Sequence, residues 1–340
     1  MPILELENEE EVKRYESFIE NSNHGHMMQS VYWSLVKNNW DRDYIFLEND
    51  EGDIEAALSI LSIKNDGKNA FMYAPRGPVC DFKDISLVKK LIEEAKKVAK
   101  RRNGFFLRMD PEVRYSDKII DEYRSRGFII RSREQNNEKS FSNPRNNMVL
   151  DITDQSIDDV MAGFTSKQRN KIRKTYKRGL STQMISTDDE KFVTALNTFY
   201  NLTEIMAKRQ GISYRPRDYF ERLFKAFKTA KIFETKDKDN EVLSSCIIIT
   251  YNKKCFYIYS ASSNNKRNYN ASTQMNYEAI KYAVSKNMEE YDFGGVYGLD
   301  TSDALYAFKY SFCGHSGHKE LIGELDVVFN QKLYNDFIKD

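Results

Sequence analysis

One lysine of this sequence stands in a segment that is otherwise almost wholly apolar and aromatic. Lys309 lies in ALYAFKYSFCG, residues 304–314, whose other side chains have the character of a protein core or of a groove wall. Burying an ammonium group without a partner is costly in free energy. A lysine in such a place needs a reason, and Lys309 is therefore the first candidate for a functional residue.

A second candidate is the basic run FTSKQRNKIRKTYKRG, residues 164–179, in which Thr165 or Ser166 is suited to cap a helix. Most charged runs form a solvated helix face. However, an acid-free run in a chain of net charge +1 equally suits contact with a polyanion. Its seven basic residues are Lys167, Arg169, Lys171, Arg173, Lys174, Lys177 and Arg178.

A third cation lies in QSVYWSLVKNNW, residues 29–40. Helical spacing places Lys37 on the same face as Trp33, Val36 and Trp40. The tryptophans are expected to anchor an amphipathic helix in the first domain. Lys37 on this apolar side either extends its ammonium to solvent or meets an anionic ligand.

Three arginines surround a glycine-containing break in AKRQGISYRPRDYF. They are Arg209, Arg215 and Arg217, and Tyr219 begins the next predicted helix. Arginine at a junction between a loop and a helix suits phosphate or carboxylate recognition, through its forked donors and the helix dipole. A structural salt bridge explains this segment equally well.

Other motifs are weaker. Asp110 ends the predicted strand of RMDPEV; sites lie at strand ends in α/β units, but Asp-Pro is also ordinary turn chemistry. The histidines form two pairs without the carboxylate or cysteine spacing of a metal site, so we expect no metal. The sequence has no phosphate-binding P-loop, dinucleotide fingerprint or Gly-x-Ser-x-Gly motif.

Length and composition limit the class of protein. The 340 residues suffice for one large domain or two of ordinary size. Four cysteines lie far apart without a Cys-x-x-Cys pair, which predicts free buried thiols in a reducing compartment. The acidic start MPILELENEEEVKRYE does not read as a signal peptide, and no apolar stretch approaches the ~20 residues of a membrane helix. These features predict a cytoplasmic protein.

The order of predicted elements occurs twice. In the first half, three strands (DYIFLEND, IEAALSILSIK, AFMYAP) precede a helix at 87–99 and the strand FFLRMDP. In the second half, a helix at about 157–178 and two further helices come first. They precede the strands KIFETK, VLSSCIIITYN and CFYIYSAS, a helix at 270–287 and the strand YDFGG. This repeat predicts an α/β (α+β) fold of two units, each with a mixed sheet flanked by helices as in acetyltransferase-like (GNAT) domains.

The predicted fold allows the sequence to be tested for a CoA-binding loop. A CoA-dependent domain of this type wraps the pyrophosphate in a glycine-containing loop where the helix after the three strands begins. The second-half segment SSNNKRNYNAS has no glycine, and PRGPVCDFKD in the first half contains prolines that remove backbone donors. We therefore expect neither CoA nor another cofactor.

Taken together, these segments resemble the FemABX family of non-ribosomal peptidyltransferases, which move an amino acid from aminoacyl-tRNA onto the peptidoglycan stem peptide. The resemblance covers nearly the whole chain. Ala304 replaces a glycine that members often carry before the Phe-Lys pair, and the long helical hairpin of some members is missing, as in the compact, FemX-like branch. The markers, in order, are QSVYWSLVKNNW, APRGPVCDF, LRMDPEV, SKQRNKIRKTYKRG, RQGISYRPRDYF, YIYSASS, YDFGGVYG, YAFKYSFCGH and IGELD.

The resemblance implies two GNAT-like domains. The first comprises residues 1–150 and about 321–340 and binds the muropeptide precursor. The second comprises residues 151–320, begins with the basic helix at 164–178, and carries the catalytic lysine. We expect that basic helix to contact tRNA phosphates, which is an inference from its charge and is not implied by the family.

The resemblance also implies roles for single residues. Lys309 is expected to reach the reacting ester carbonyl, where a fixed cation stabilises the developing negative charge, and Phe308 to shape the pocket. Asp110 matches an acid near the acceptor amine, which it positions or deprotonates. The expected substrate-binding residues are Lys37 and Arg215 at the diphosphate of the nucleotide-linked muropeptide, Tyr219 beside them, and Tyr257 or Tyr259.

The implied partners are aminoacyl-tRNA as co-substrate and UDP-MurNAc-pentapeptide or its lipid-linked form, which a monomer in peripheral contact with the membrane could reach. Two alternatives remain: an N-acyltransferase that uses another acyl donor, and a non-catalytic module that binds muropeptide or RNA. The sequence does not identify the transferred amino acid, because that choice depends on the pocket shape and on tRNA contacts.

Overall fold

A computed structural model describes residues 3–64, 67–136 and 140–339. Its α-helices are α1 (Glu9–Asn21), α2 (Val31–Val36), α3 (Ile85–Arg102), α4 (Asp117–Ser125), α5 (Ile157–Gly163), α6 (Ser166–Lys177), α7 (Phe192–Gln210), α8 (Arg217–Ala226), α9 (Ala271–Ser285), α10 (Ala304–Cys313) and α11 (Gln331–Phe337). Its strands are β1 (Asp41–Glu48), β2 (Ile54–Lys64), β3 (Ala70–Ala74), β4 (Gly104–Met109), β5 (Ile129–Arg131), β6 (Asn146–Asp151), β7 (Ser181–Ile185), β8 (Lys231–Lys236), β9 (Val242–Tyr251), β10 (Lys254–Ser262), β11 (Glu290–Val296), β12 (His318–Glu320) and β13 (Glu324–Val328).

The chain forms two compact units. One comprises Met1–Asn146 with Glu320–Asp340, and the other comprises Asn147–Lys319. The corresponding boundaries expected from the sequence are 150/151 and about 320/321. Each unit has its own mixed sheet and its own buried core, as expected for two α/β domains.

The first unit is built on a six-stranded sheet of order β1-β2-β3-β4-β13-β5, in which β3 and β4 run parallel. Helix α3 packs across β1, β2 and β4. Its apolar residues recur at helical spacing and are buried, and Asp84 caps its start by accepting from the Leu87 N–H at 3.0 Å. Strand β13 lies between β4 and β5, so residues that follow the second unit in sequence complete the sheet of the first.

The second unit is built on a seven-stranded sheet of order β12-β6-β11-β10-β9-β8-β7, with β10 and β11 parallel. Along β9, Cys246 and Ile248 join the core that contains Met275 and Ile280 of α9. Because side chains alternate along a strand, Ile247 lies on the opposite face, against which α7 packs. The two faces of this sheet therefore carry different helices.

The structure differs from the predicted elements in two places that concern candidate residues. The helix expected over 157–178 is broken at Phe164, whose ψ of 151° is extended, and Thr165 caps a new helix by accepting from the Gln168 N–H at 3.2 Å. Helix α2 ends at Val36, so Trp40 does not continue the helical face as expected. In both cases a local cap ends an otherwise helical pattern.

The four cysteines are free and buried, which confirms that prediction. None of the helices in the described ranges combines the length and apolarity needed to cross a membrane.

Candidate active site

Lys309 lies on α10 in the second unit. Asp303 starts this helix by accepting hydrogen bonds from the N–H groups of Leu305 (2.7 Å) and Tyr306 (3.0 Å). The Lys309 side chain is buried, with 6% of the residue exposed, and its Nζ donates to the carbonyl oxygen of Gly295 at 2.8 Å. The buried ammonium thus has a hydrogen-bond partner on β11, which reduces the cost of its burial.

The carbonyl that Lys309 contacts lies where two parallel strands separate. The ladder between β10 and β11 ends at the pair of Phe256 and Asp292. Both strands continue beyond it, β10 to Ser262 and β11 to Val296. The Lys309 ammonium contacts β11 at Gly295, three residues beyond this last pair.

Asp292 shapes the backbone at this point. It is buried, and its Oδ1 accepts a hydrogen bond from the Gly294 N–H at 2.6 Å. Gly294 has φ +77°, a left-handed conformation that favours glycine. The next residue, Gly295, supplies the carbonyl that Lys309 contacts. A sequence pattern could have revealed Asp292 only through its place two residues before the glycine pair.

The electrostatics of Lys309 reflect two opposing effects. Burial lowers the pKa of Lys309 to about 8, and the negative charge of Asp292 is the first of the groups that oppose this fall, followed by Cys313 and Asp303. Burial raises the pKa of the Cys313 thiol, which keeps that thiol neutral. Lys309 therefore remains largely an ammonium near pH 7 and loses its charge above about pH 8.

Phe308 precedes Lys309 on α10 and is half-buried against the core of the second unit. Its ring centroid lies 5.5 Å from that of Phe312, in an edge-on arrangement. Phe312 in turn contacts Phe293 of β11 at 5.1 Å. Phe308 therefore belongs to an aromatic surface that links α10 to the same strand as Gly295.

A second cluster of candidate residues lies where α8 meets β10. The hydroxyls of Tyr219 and Tyr259 are 2.8 Å apart, and their rings meet edge-on with centroids at 5.9 Å. The guanidinium carbon of Arg215 lies 5.5 Å from the centre of the Tyr219 ring. Burial raises the pKa of Tyr259, whereas its hydrogen bond to Tyr219 and the Arg215 guanidinium oppose that rise.

The three candidate arginines, Arg209, Arg215 and Arg217, have different surroundings. Arg217 pairs with Glu221 and donates to Asn197 Oδ1 at 3.0 Å, so it is a structural salt-bridge residue. Arg215 is exposed and forms no ion pair with any acid in the described ranges. Of the pair Arg215 and Arg217, only Arg215 therefore keeps its guanidinium available to an anion.

Arg209 stabilises the loop that joins β10 to α9. Its guanidinium donates to the Ser262 hydroxyl at 3.0 Å, to the carbonyl oxygens of Ser262 and Ser263 at 3.2 and 3.4 Å, and to Asn264 Oδ1. The loop thus directs acceptor groups toward a protein cation. This contact links the end of α7 to a loop 53 residues further along the chain, which the local sequence did not indicate.

The structure separates the two tyrosines of β10. An irregularity between Tyr257 and Tyr259 pairs Tyr257 with Ile248 and Tyr259 with Ile247. Because cross-strand partners share a face, Tyr257 points to the α9 face, where it packs 5.8 Å from the Phe293 ring. Tyr259 points to the opposite face and joins Tyr219. The β-bulge therefore brings only Tyr259 to the Arg215 cluster.

Lys37 and its aromatic neighbour lie in the first unit. Lys37 caps the C-terminus of α2, and its Nζ lies 4.7 Å from the centre of the Trp33 ring. Trp33 is buried, whereas Lys37 is half-buried. A cation over an aromatic face is attracted electrostatically by the ring. The geometry fits either interpretation of Lys37 drawn from the sequence.

Asp110 follows β4 and binds the loop that follows β3. Its Oδ1 accepts from the Arg76 N–H at 2.6 Å. Its Oδ2 accepts from the Tyr73 hydroxyl at 2.7 Å and from the backbone and side-chain N–H groups of Asn143 at 2.8 and 3.0 Å. Arg76 has φ +57°, a left-handed conformation that this bond supports. With both oxygens occupied by donors, the geometry favours a positioning role for Asp110 over proton abstraction.

The basic helix predicted at 164–178 corresponds to α6. Gln168, Ile172 and Thr175 recur at helical spacing and are buried against the unit. Two of its basic residues serve the fold: Arg169 donates to the carbonyl oxygens of Ala162 (3.0 Å) and Phe164, and Arg178 donates to that of Asn268.

The other five basic residues of α6 lie on its exposed and half-exposed sides. None of them forms an ion pair with an acid in the part of the chain that the structure describes. Burial and the charge of Lys167 lower the pKa of Lys171, a sign that these cations crowd one another. These five residues, which we call the α6 cations, are Lys167, Lys171, Arg173, Lys174 and Lys177.

Within residues 3–64, 67–136 and 140–339, no three His, Cys, Asp or Glu side chains group in a way that could hold an ion.

Comparison with known proteins relates this geometry to a family. The sequence profile of the FemAB family matches residues 10–234 and 228–337. The UDP-N-acetylmuramoylpentapeptide-lysine N(6)-alanyltransferase of Weissella viridescens is 34% identical over 345 residues, which cover 100% of both chains. A lipid II:glycine glycyltransferase of Staphylococcus haemolyticus (strain JCSC1435) is 25% identical over 399 residues, covering 95% of this chain and 92% of that protein.

Solved structures agree on the fold. The crystal structure of FemX superposes with a TM-score of 0.84 at 23% identity, covering 98% of this chain and 99% of that one. A tandem GNAT protein from the clavulanic acid biosynthesis pathway superposes with a TM-score of 0.55 at 11% identity, covering 96% and 97%. The predicted fold of two GNAT-like domains is thereby confirmed.

Proposed function

The chain belongs to the FemAB family, and we propose that it transfers an amino acid from aminoacyl-tRNA to the side-chain amine of the peptidoglycan stem peptide. It is an aminoacyltransferase of peptidoglycan precursors, the activity for which the relatives described above are named. The product is a stem peptide that carries one more residue of an interpeptide bridge or branch.

The observation that carries this proposal is the buried Lys309 ammonium, held at the Gly295 carbonyl of β11 beyond the last pair with β10. In ester aminolysis the acceptor amine attacks the ester carbonyl carbon, and the carbonyl oxygen takes the negative charge. A fixed cation in a low-dielectric site stabilises this charge without reorganisation. In the described state Lys309 is bonded to the Gly295 carbonyl, so its ammonium is already oriented before substrate binds.

The remaining steps need no protein nucleophile. When the tetrahedral intermediate collapses, the bond between carbonyl carbon and ribose oxygen breaks and the new amide bond remains. The attacking nitrogen gives up a proton and the departing ribose oxygen takes one up. Asp110, held by Tyr73, Arg76 and Asn143, acts by positioning the acceptor.

The donor is aminoacyl-tRNA rather than acyl-CoA. Two observations support this choice. The α6 cations offer a surface without acidic partners that suits the phosphates of a nucleic acid. The β10–α9 loop, which in a CoA-dependent domain would bind pyrophosphate, directs carbonyl oxygens inward to Arg209. Such a lining favours a cation over a phosphate.

The acceptor carries phosphate groups, and Lys37 and Arg215 are the candidate cations for them. In the first unit Lys37 is held over Trp33. In the second, Arg215 lies over Tyr219, whose hydroxyl bonds to that of Tyr259. We assign these residues to the diphosphate of the nucleotide-linked or lipid-linked precursor, and we assign the protein to the cytoplasm as a monomer. The four free thiols agree with a reducing compartment.

The experiment that tests this function is mass spectrometry of the acceptor. Purified protein is incubated with UDP-MurNAc-pentapeptide or its lipid-linked form and with a mixture of charged tRNAs. A mass gain of one amino-acid residue is expected, and its size identifies that residue. The matched controls replace charged tRNA with deacylated tRNA or with acetyl-CoA, and wild-type protein with the K309M variant.

Each other result would overturn a defined part of the proposal. No mass gain on either acceptor, with folded protein, would leave a binding module in place of an enzyme. A gain with acetyl-CoA would replace the donor. A full gain with the K309M variant would remove Lys309 from the mechanism.

A further inference from the structure

Asp292 is a buried carboxylate of the second unit that the proposed reaction does not yet use. It lies on β11 at the last paired position before the strand diverges from β10. Its Oδ1 accepts from the Gly294 N–H at 2.6 Å, across the left-handed turn at Gly294. The carbonyl of the following Gly295 then receives the Lys309 ammonium at 2.8 Å.

These contacts form a chain in which each depends on the one before. Without the bond from Asp292, nothing in these contacts would fix the φ of +77° at Gly294. A different turn there would reorient the Gly295 carbonyl. A Cβ added at Gly294 would lie 3.8 Å from Lys309 Nζ, so the ammonium lies close against this turn.

We propose that Asp292 is a positioning residue for aminoacyl transfer: it fixes the turn that holds Lys309 and places a carboxylate charge near the buried ammonium. The proposal rests on the proposed function, because it assumes that the charged form of Lys309 acts on the ester. It adds a second residue, on a different element, to the machinery around Lys309.

The charges around Lys309 single out Asp292. Three titratable groups oppose the effect of burial on its pKa: Asp292 on β11, and Cys313 and Asp303 on α10 and at its start. The Cys313 thiol is neutral because burial raises its pKa. Asp303 is exposed, so solvent screens its charge. Asp292 is therefore the buried acid among the groups that oppose the fall of the Lys309 pKa.

The decisive variant is Asp292→Asn, which retains an oxygen acceptor for the Gly294 N–H and removes the charge. Two readouts are measured against pH: the rate of transfer, and the ε-carbon resonance of Lys309 by NMR, assigned through its loss in the K309M variant. We expect the Lys309 titration midpoint and the alkaline limb of the rate profile both to fall by about 1 pH unit.

The matched comparison is Asp303→Asn. This variant also removes one negative charge near Lys309 and keeps the oxygen that caps α10. A smaller fall of the midpoint is expected, because Asp303 is exposed to solvent. Equal falls in both variants would show a general charge effect and would overturn the special role of Asp292.

A second measurement uses the wild-type protein, so its result does not depend on whether the D292N variant folds. The side-chain carboxyl carbon of Asp292 should show an inflection near pH 8, where Lys309 loses its proton, and the K309M variant should lack it. A flat titration, or an unchanged Lys309 midpoint in D292N, would overturn the inference.

Neither NMR readout requires substrate, so the two proposals fail separately. A shifted Lys309 midpoint in a protein that transfers no amino acid would refute the function and leave the coupling of Asp292 and Lys309. Transfer by the wild type with an unchanged midpoint in D292N would refute the role of Asp292 and leave the function.

Discussion

Arg108 and Asp326 form a buried ion pair with two hydrogen bonds, of 2.8 and 2.6 Å, although 218 positions separate them in sequence. They lie directly opposite each other on β4 and β13, and the Tyr334 hydroxyl donates a further bond to Asp326 at 2.8 Å. Their side chains are 2% and 0% exposed. This pair attaches β13 to the sheet of the first unit.

Removing Asp326 should therefore strongly destabilise the first unit. We expect Asp326→Ala to lower the free energy of unfolding by about 3–5 kcal/mol, because it leaves the Arg108 guanidinium buried without its partner. Urea denaturation measures this loss. The control is Glu93→Ala, which breaks an exposed pair with Lys96 and should cost less than about 0.5 kcal/mol. Similar losses in both variants would contradict the importance of burial.

The K309M variant should retain its fold and lose most of its transfer activity. Removal of one preorganised group that stabilises an oxyanion costs about 2–4 kcal/mol of transition-state stabilisation, or about 30-fold to 10³-fold in kcat. Single-turnover assays with charged tRNA measure this loss. Lys228→Met removes an exposed lysine of the same unit and should leave kcat unchanged.

The same lysine predicts a pH dependence of stability. The pKa of Lys309 is about 8 in the folded protein and 10.5 in the unfolded chain, so the folded and unfolded states both bind the proton below pH 8. Between these values the unfolded state binds more protons, and stability due to Lys309 rises with pH. We expect wild type to gain about 2 kcal/mol over the K309M variant between pH 7 and pH 10. Urea denaturation measures the difference in free energy of unfolding between wild type and K309M. A difference that does not change with pH would contradict the predicted rise.

The β-bulge in β10 predicts different effects for its two tyrosines. Tyr259→Phe removes the hydrogen bond to Tyr219 beside Arg215, and we expect a rise in KM for the muropeptide of about fivefold, equivalent to about 1 kcal/mol. Tyr257→Phe, on the α9 face, should raise KM less. Steady-state kinetics with varied acceptor distinguish the two. A larger effect at Tyr257 would show that the α9 face binds the acceptor.

The α6 cations predict a salt dependence of tRNA binding. Neutralising two of them in R173Q/K174Q should reduce the slope of log affinity against log salt by about 1.5, because each phosphate contact contributes about 0.7–0.9. Filter binding at several salt concentrations gives the slope. The K96Q/K97Q variant removes two exposed lysines of α3 that pair with glutamates and should leave the slope unchanged. Equal slopes in all proteins would indicate that the α6 cations form a solvated helix face and do not contact tRNA.

Elements with strong local signals could be predicted from sequence. The buried face of α3 and the paired strands β8, β9 and β10 follow from hydrophobic periodicity. The break at Thr165 was missed because the residues on both sides favour helix, and one cap decides between one helix and two. Strand β7, STQMI, was missed because it is short and its residues are mostly not buried.

The candidate site shows the same limit. Lys309 and Arg215 could be identified from the local sequence, because each is a cation beside aromatic residues. The choice between Tyr257 and Tyr259 depends on a bulge that shifts the register against β9, and a register is a relation between strands. The role of Asp292 depends on a turn and on a helix that follows it, so its identity alone gave no indication.

The place of β13 has a consequence for synthesis on the ribosome. Residues 324–328 complete the first sheet between β4 and β5, and the whole second unit is translated before them. The first unit therefore cannot close its sheet until the second unit has been translated, although it begins earlier in the chain, and the second unit can finish folding first. Until β13 emerges, the edges of β4 and β5 that it later covers offer unpaired backbone groups to chaperones or to neighbouring nascent chains.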